Sequence, residues 1–159
     1  MSMNRAAQQP LRVPSARKRD MRTQFGAICW RMKKGKLQVL LVTTRTTRRW
    51  TPPKGWPIDG LTPAGSAARE AYEEAGVSGS ISETCLGIYS YTKELAGDDL
   101  PCVVALFPLK VERKMSMWPE KPERRRRWMS PKKAASRVRE PELARLLRNF
   151  DPGVARLKR

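Results

Sequence analysis

The segment from Thr62 to Gly76 constrains the fold of this chain most, because it carries the start, the stop and the buried face of one helix. Thr62 offers a side-chain oxygen for the N-cap, Pro63 suits the first helical position, and Gly76 is a strong stop signal. Mostly small residues share one face of this helix: Ala64, Ala68, Ala71, Tyr72 and Ala75. Because small side chains allow close approach, we expect the helix to pack on a sheet.

Apolar and β-branched runs before and after this helix predict four strands. They lie at 24–31, 37–45, 81–94 and 101–111. Gly35 predicts a hairpin between the first two, and the nearly continuous apolar character of the fourth predicts a central position in the sheet. Ser130-Pro131 begins a second helix, and the amphipathic segment "PELARLLRNF" predicts a C-terminal one. Helices interleaved with mixed strands predict an α/β sandwich.

The composition divides the chain into three parts. Residues 1–20 are polar, basic and aperiodic, which predicts a disordered basic arm. Residues 21–150 hold the predicted elements and form the expected folded domain. Residues 151–159 form a basic C-terminal tail.

The charge balance points to a polyanionic partner. The chain has 33 Lys and Arg against 15 Asp and Glu, a formal net charge of +18. Such an excess suits a phosphate-rich small molecule, a nucleic acid or a membrane surface. The sequence has no histidine, which excludes Ser-His triads and histidine-ligated zinc sites. Three scattered cysteines predict reduced thiols and a cytoplasmic protein, no apolar run is long enough to span a membrane, and the oligomeric state is not indicated.

Three carboxylates, Glu70, Glu73 and Glu74, fall within five residues on the side of the helix opposite its small face. Like charges at this spacing repel by roughly 0.2–0.5 kcal/mol per pair, so a cation is expected nearby. One interpretation is a solvated surface whose glutamates pair with neighbouring Lys and Arg. The other is a site for Mg²⁺ or Mn²⁺, which prefer carboxylate oxygens, waters and substrate phosphates. Such a site beside a glycine-proline loop suggests attack of water on a phosphoanhydride.

The residues around these carboxylates favour the metal site. Gly55, Arg69-Glu70, Glu73-Glu74 and Gly76-Val77 closely resemble the Nudix hydrolase signature, G-x5-E-x7-R-E-U-x-E-E-x-G-U, in which U is a bulky aliphatic residue. The resemblance covers roughly residues 22–150 and implies the family's α/β/α sandwich with a mixed sheet. It also implies a pyrophosphohydrolase that depends on Mg²⁺ or Mn²⁺.

The resemblance implies roles for individual residues. Glu70 and Glu74 are expected to bind metal, Glu73 to act as the base or a further ligand, and Arg69 to orient the carboxylates. The backbone carbonyl of Lys54 or Gly55 is expected to complete the metal shell. Two positions depart from the signature: Leu61 replaces its first glutamate and Ala71 replaces its bulky aliphatic.

Two further stretches bear on the substrate. "RWTPPKG" resembles hydrolases of diadenosine polyphosphates and of diphosphoinositol polyphosphates, and "RRRRWMSPKKA" resembles the second group. Cations near the loop and in the second stretch are the expected phosphate ligands, since arginine forks suit phosphate oxygens. They are Arg45, Arg48, Arg49, Lys54, Arg124, Arg125, Arg126 and Arg127. A solvated loop is the alternative for the last four.

A different class of function stays open alongside this one. The +18 charge, the basic arm and the basic tail would also suit a nucleic-acid-binding protein on a degenerate Nudix scaffold. Trp50 and Trp56 bracket the loop and either stack a base or pack at the edge of the core.

Overall fold

The computed structural model describes residues 8–11, 22–94 and 99–153. The strands of this described part are β1 (Arg22–Lys33), β2 (Lys36–Thr43), β3 (Trp50–Thr51), β4 (Lys54–Gly55), β5 (Val77–Ile81), β6 (Gly87–Lys93), β7 (Leu100–Lys114) and β8 (Arg126–Met129). The α-helices are α1 (Pro63–Ala75), α2 (Pro131–Arg137) and α3 (Pro141–Arg148), and Lys121–Glu123 forms one 3₁₀ turn. Within the described residues no helix has the length and apolarity needed to cross a bilayer.

The predicted hairpin joins β1 to β2. The strands are antiparallel, with Trp30 opposite Val39 and Lys33 opposite Lys36. The two residues between them, Lys34 and Gly35, have φ of 51° and 76°. Positive φ at both central positions is the geometry that matches the twist of paired strands, which explains the glycine here.

One mixed sheet runs in the order β3-β2-β1-β7-β5, with β1 and β7 parallel. β4 pairs with β1, β6 with β7 and β8 with β2. The central position predicted for the strand at 101–111 is confirmed, since β7 lies between β1 and β5. The strand predicted at 81–94 has the wrong bounds: β6 covers only 87–93 of that segment, and Ile81 ends a separate strand, β5. The two strands pair with different parts of β7.

Side chains alternate between two cores, one on each face of the sheet. The α1-side core buries the alanines of α1 against Cys29, Leu40 and Phe107. The α3-side core buries α2 and α3 against Ile28, Val39 and Leu106. Burying each of the larger aliphatic side chains stabilises the fold by roughly 1.5–3 kcal/mol. These three layers are the predicted α/β/α sandwich.

The helix α1 buries a slightly different face from the predicted one. Ala64, Ala67, Ala71 and Ala75 are fully buried, whereas Tyr72 is 41% exposed. The alanine at 67, rather than the one at 68, centres the buried stripe. This rotation turns Glu74 towards the interior, where it is 5% exposed.

Part of the predicted disordered arm has a packed position. The backbone of Leu11 donates to Leu61 O and accepts from Gly60 N, both at 2.9 Å. The Leu11 side chain packs against the α1-side core, and Gln8 Oε1 accepts from Ala64 N at the start of α1 at 3.3 Å. The rest of the predicted arm and residues 154–159 of the predicted tail lie outside the described residues.

Candidate active site

Both ends of α1 are fixed by hydrogen bonds, which sets the position of its carboxylates. At the start, Thr62 Oγ1 accepts from Gly65 N at 2.9 Å, as expected of an N-cap. At the end, Gly76 has φ 65° and its N–H donates to Tyr72 O at 3.0 Å. Glycine suits this left-handed cap because it has no Cβ.

The loop before β8 closes over the last turn of α1. Trp118 Nε1 donates to Glu74 O at 3.1 Å. Arg126 Nη1 donates to Ala75 O at 2.8 Å, and Nη2 donates to Met115 O at 2.6 Å. The guanidinium of Arg126 also stacks 3.8 Å from the centre of the Trp118 ring. Carbonyls left free at a helix end need such donors, and a cation there also suits the helix dipole.

Glycine at position 55 allows the carboxylate of Glu70 to approach the loop. A Cβ placed on Gly55 would lie 2.5 and 2.6 Å from the two carboxylate oxygens of Glu70. Carbon does not approach oxygen that closely in folded proteins, so any other residue here would displace Glu70. The residue before Gly55, Lys54, donates its backbone N–H to Glu74 Oε1 at 3.3 Å. Glu70 and Glu74 therefore converge on the same short loop.

Burial is the main cause of unusual protonation at this site. It raises the pKa of Glu74 to about 8, and the negative charges of Glu70 and Glu120 act in the same direction. The cations Arg124 and Lys54 oppose that rise. Burial also raises the pKa of Glu70, with a further contribution from Glu73. Adding a cation would relieve this cluster by favouring the ionised carboxylates.

Arg124 holds the centre of the cluster. Its guanidinium lies 3.5 Å from Glu74 Oε2 and donates through Nε to Glu120 Oε1 at 2.7 Å. Nη1 donates to Thr43 O, at the end of β2, at 3.0 Å. The backbone N–H of Glu120 donates to Glu73 O at 3.0 Å, which ties the loop to α1.

The carboxylates open into a cleft of about 610 Å³. This volume falls in the range of pockets for small-molecule ligands, roughly 300–1,000 Å³. Glu70, Glu73, Glu74 and Glu120 line one part of it, and five cations also line it: Arg45, Arg49, Lys54, Lys93 and Arg124. Trp56, Tyr91 and Gln24 add aromatic and amide groups.

Lys54 lies where the carboxylates meet the rest of the cleft. Its ammonium is 3.3 Å from Thr51 Oγ1 and 4.9 Å from the centre of the Tyr91 ring. Burial lowers the pKa of Lys54, while the negative charge of Glu74 opposes that change. Tyr91 is held in turn by donating its hydroxyl to Gln24 Oε1 at 2.6 Å.

The predicted site residues fall into two groups. The structure brings Glu70, Glu73, Glu74, Gly55, Lys54, Arg45, Arg49 and Arg124 together around the cleft. The loop that carries Arg45 and Arg49 is closed by Thr44 N donating to Arg49 O at 2.8 Å. Arg45 also forms an exposed ion pair with Glu123 at 3.3 Å.

Within the described part of the chain, the remaining predicted cations do not line the cleft. Arg48 sits exposed in the turn with φ 56°. Arg69 is exposed and makes no ion pair or side-chain hydrogen bond within the described part of the chain, although the resemblance implied that it orients the carboxylates. Arg126 is engaged with backbone carbonyls, and Arg125 and Arg127 are exposed. The predicted cluster 124–127 thus divides into one cleft residue, one helix cap and two surface residues.

Glu120 and Lys93 are cleft residues that the sequence did not indicate. Glu120 lies in a charged loop and Lys93 at the end of a strand, and neither belongs to the signature. The conflict of charge was a signal for a cation such as Lys93, since a buried carboxylate cluster needs cationic partners. No sequence signal marked Glu120.

The donor set fits a hard divalent cation. Glu70 and Glu74 offer carboxylate oxygens at one place, and the small size of Gly55 leaves the loop backbone within reach. Within the described residues, no three acidic, His or Cys side chains are gathered at metal-binding distance. Mg²⁺ commonly uses only one or two carboxylates and completes its shell with waters and substrate phosphates, so this donor set suits it.

A family profile described as NUDIX domain matches residues 21–150. The chain belongs to the Nudix family. The profile spans all the strands and helices described above, so the family predicted from the signature is confirmed.

Curated relatives of this Nudix domain come from Arabidopsis thaliana. Nudix hydrolase 13, mitochondrial, is 32% identical over 121 residues, which make up 72% of this chain and 60% of that protein. Nudix hydrolase 12, mitochondrial, is 34% identical over 119 residues, covering 72% of this chain and 59% of that protein. The chain therefore spans about 60% of the length of these relatives.

A solved structure of a C. elegans Ap4A hydrolase binary complex is similar to the whole Nudix fold. Its TM-score is 0.63 at 25% identity, and the alignment covers 85% of this chain and 98% of that one. A MutT protein from Methanosarcina mazei has a TM-score of 0.63 at 17% identity, covering 87% of this chain and 99% of the other. These similarities confirm the predicted α/β fold.

Proposed function

We propose that this protein is a metal-dependent pyrophosphohydrolase that cleaves a phosphoanhydride bond in a highly phosphorylated small molecule. The observation that carries the proposal is the convergence of Glu70 and Glu74 on Gly55, at the edge of a cleft that five cations also line. Carboxylates and cations in one cleft suit a substrate that binds through both a metal and its own phosphates.

The residues of the cleft would divide the work as follows. Glu70 and Glu74, with a backbone carbonyl of Lys54 or Gly55, would hold Mg²⁺ or Mn²⁺. A bound divalent cation supplies charge neutralisation of the phosphates and lowers the pKa of a coordinated water. Glu73 is half-buried and lines the cleft, where its carboxylate would accept the proton of the attacking water.

The cations would bind and orient the phosphate chain. Arg49 and Lys54 line the cleft, and Arg49 is fixed by donating to Thr47 Oγ1 at 3.1 Å. Fixed donors stabilise developing charge better than mobile ones, because they need no reorganisation in the transition state. Trp56 and Tyr91 give the same cleft aromatic surface that a nucleobase could contact.

A diadenosine polyphosphate is the substrate that we favour over a diphosphoinositol polyphosphate. The hypothesis of an inositol substrate rested on a sequence resemblance and on the arginines at 124–127 as phosphate ligands. Arg124 is paired with two carboxylates, and Arg126 donates to three backbone carbonyls. The solved Ap4A hydrolase complex, at 25% identity, supports the same choice.

A substrate panel tests this proposal. The purified protein with Mg²⁺ or Mn²⁺ is offered diadenosine polyphosphates, diphosphoinositol polyphosphates, nucleoside triphosphates and capped RNA, and the products are identified. We expect the highest kcat/KM for a diadenosine polyphosphate. Preference for the inositol substrate would overturn the choice of substrate, and no turnover of any phosphoanhydride would overturn the proposed activity.

Nucleic-acid binding on a degenerate scaffold is the alternative, and the same protein can test it. A pull-down with nucleic acid at graded salt separates the two functions, since electrostatic binding to a backbone falls steeply with salt. Cytoplasmic location stays a prediction from the cysteine pattern.

A further inference from the structure

The arginine at position 124 is buried among carboxylates instead of reaching into solvent. Its side chain is 9% exposed, and its guanidinium contacts other groups of the protein. It faces Glu74 Oε2 at 3.5 Å, Glu120 Oε1 at 2.7 Å and the carbonyl of Thr43 at 3.0 Å. A buried guanidinium with this many partners has one defined position.

That position is fixed by the sheet and not only by the carboxylates. Thr43 N donates to Arg125 O at 3.0 Å, and Arg125 N donates to Thr43 Oγ1 at 2.9 Å. The end of β2 therefore holds the backbone directly beside Arg124. The guanidinium bridges this sheet edge to α1, because Glu74 lies on the helix and Glu120 is tied to its Glu73 carbonyl.

Both oxygens of Glu74 are already in use in this arrangement. Oε1 accepts from Lys54 N at 3.3 Å, and Oε2 faces the guanidinium of Arg124. Each carboxylate oxygen keeps a second lone pair, so a divalent cation that binds Glu74 would share this carboxylate with both partners. The Arg124 contact is the one that carries charge, so it is the one that repels an approaching cation.

We propose that Arg124 is an internal counterion that holds Glu74 in the metal-free protein and competes with the divalent cation for it. This inference rests on the proposed function, because it assigns Glu74 to the metal. When no metal is bound, the positive charge of Arg124 balances the negative charge of the buried carboxylates. The same contact with Glu74 lowers the affinity of the protein for metal. Once a metal ion binds Glu74, the ion pair with Glu120 would keep Arg124 in the cleft, where its guanidinium would contact a substrate phosphate.

The consequence is a pair of effects with opposite signs. Removing the charge of Arg124 should weaken the metal-free fold, since Glu74 and Glu120 lose their shared cation. It should also tighten metal binding, since nothing cationic then occupies Glu74. If Arg124 only positioned the carboxylates for metal binding, its removal would lower both the stability and the metal affinity.

The test compares Arg124→Gln with Arg125→Gln, which removes the same charge from an exposed neighbouring side chain. Mn²⁺ is titrated into each protein without substrate at a pH above 8, where Glu74 is ionised, and free Mn²⁺ is counted by its paramagnetic resonance signal. Thermal melts in chelator give the stability of the metal-free forms. We expect Arg124→Gln to bind Mn²⁺ at least about tenfold more tightly than the parent and to melt at lower temperature, with Arg125→Gln unchanged in both.

Equal or weaker Mn²⁺ binding in Arg124→Gln would overturn the inference, as would equal tightening in both variants. If Arg124→Gln fails to fold, Arg124→Met decides the matter, because methionine also removes the charge while its flexible unbranched side chain fills the space of the arginine stem. Tighter Mn²⁺ binding than the parent supports competition by Arg124, and unchanged or weaker binding refutes it. The titration contains no substrate, so its result is separate from the success or failure of the proposed hydrolysis.

Discussion

Replacing Gly55 by alanine should abolish most activity while leaving the fold nearly unchanged. The added Cβ would stand 2.5 and 2.6 Å from the Glu70 carboxylate oxygens, whereas ordinary contacts begin at 3.4 Å. The carboxylate must therefore retreat by about 0.8 Å or more. The atoms that move are the far end of a flexible side chain, and Gly55 is not in the left-handed region. We expect a loss of stability below about 1 kcal/mol.

The same displacement should be costly for catalysis. A misplacement of about 1 Å in a catalytic site can cost about 10²-fold in rate, which corresponds to roughly 2.7 kcal/mol. The assay measures kcat/KM for a phosphoanhydride substrate with Mg²⁺, beside a chemical-denaturation curve of the same sample. Gly153→Ala serves as the control, because it adds the same methyl group away from the described cleft residues.

Two results would refute this reasoning. Wild-type kcat/KM in Gly55→Ala would mean that Glu70 has no required position beside the loop. A large loss of stability together with a loss of activity would mean that Gly55 serves the fold and not the site.

Further perturbations test other parts of the structure. The pKa of Glu74 is raised from 4.5 to about 8 in the fold, so the folded metal-free protein holds a proton that the unfolded chain releases. The free energy of unfolding of the metal-free protein should therefore fall as pH rises from 4.5 to about 8, by up to about 1.4 kcal/mol per pH unit. Urea unfolding in chelator measures this slope, and the same slope in Glu74→Gln would show that Glu74 does not cause it. A chain beginning at Arg12 should be less stable than one beginning at Gln8 by about 1–3 kcal/mol, because it lacks Leu11 with its hydrogen bonds and packing. Identical melting of the two chains would show that this contact is not maintained. Trp118→Phe removes the indole donor to Glu74 O but keeps the ring under Arg126, so it should destabilise the protein by about 1–2 kcal/mol in a denaturation curve, and an unchanged curve would argue against capping by Trp118.

The helix and its carboxylates could be predicted because their signals are local. Thr62, Pro63 and Gly76 mark the ends of α1, and hydrogen bonds at both caps match them. Glu70 and Glu74 are one turn apart, so any helix brings them to one side. The close approach of Glu70 to Gly55 was implied only by the family resemblance, since loop and helix are joined by tertiary packing.

The rest of the site depends on contacts between distant parts of the chain. Arg124 and Arg126 belong to one basic run and are two residues apart, yet one pairs with Glu74 and the other caps α1. Nothing in a run of four arginines separates these roles. The short strand β8 was hidden for the same reason, because its pairing with β2, and not a hydrophobic pattern, makes it a strand.

The docked part of the N-terminal arm illustrates another limit. Leu11 lies in a mostly polar stretch without an apolar period, and two of its contacts are backbone hydrogen bonds, which leave no mark in the sequence.

If Glu70 and Glu74 hold a divalent cation for phosphoanhydride hydrolysis, Glu74→Gln should lose that activity. The side chain keeps its shape but loses the charge of one proposed ligand. Release of nucleotide from a diadenosine polyphosphate is followed at graded Mg²⁺ for the parent, for Glu74→Gln and for Glu142→Gln, an exposed carboxylate on α3. We expect the parent and Glu142→Gln to lose activity only in chelator, and Glu74→Gln to lose most activity at every Mg²⁺ concentration with its fold intact. Near-parental turnover by Glu74→Gln, or full activity of the parent in chelator, would contradict this expectation.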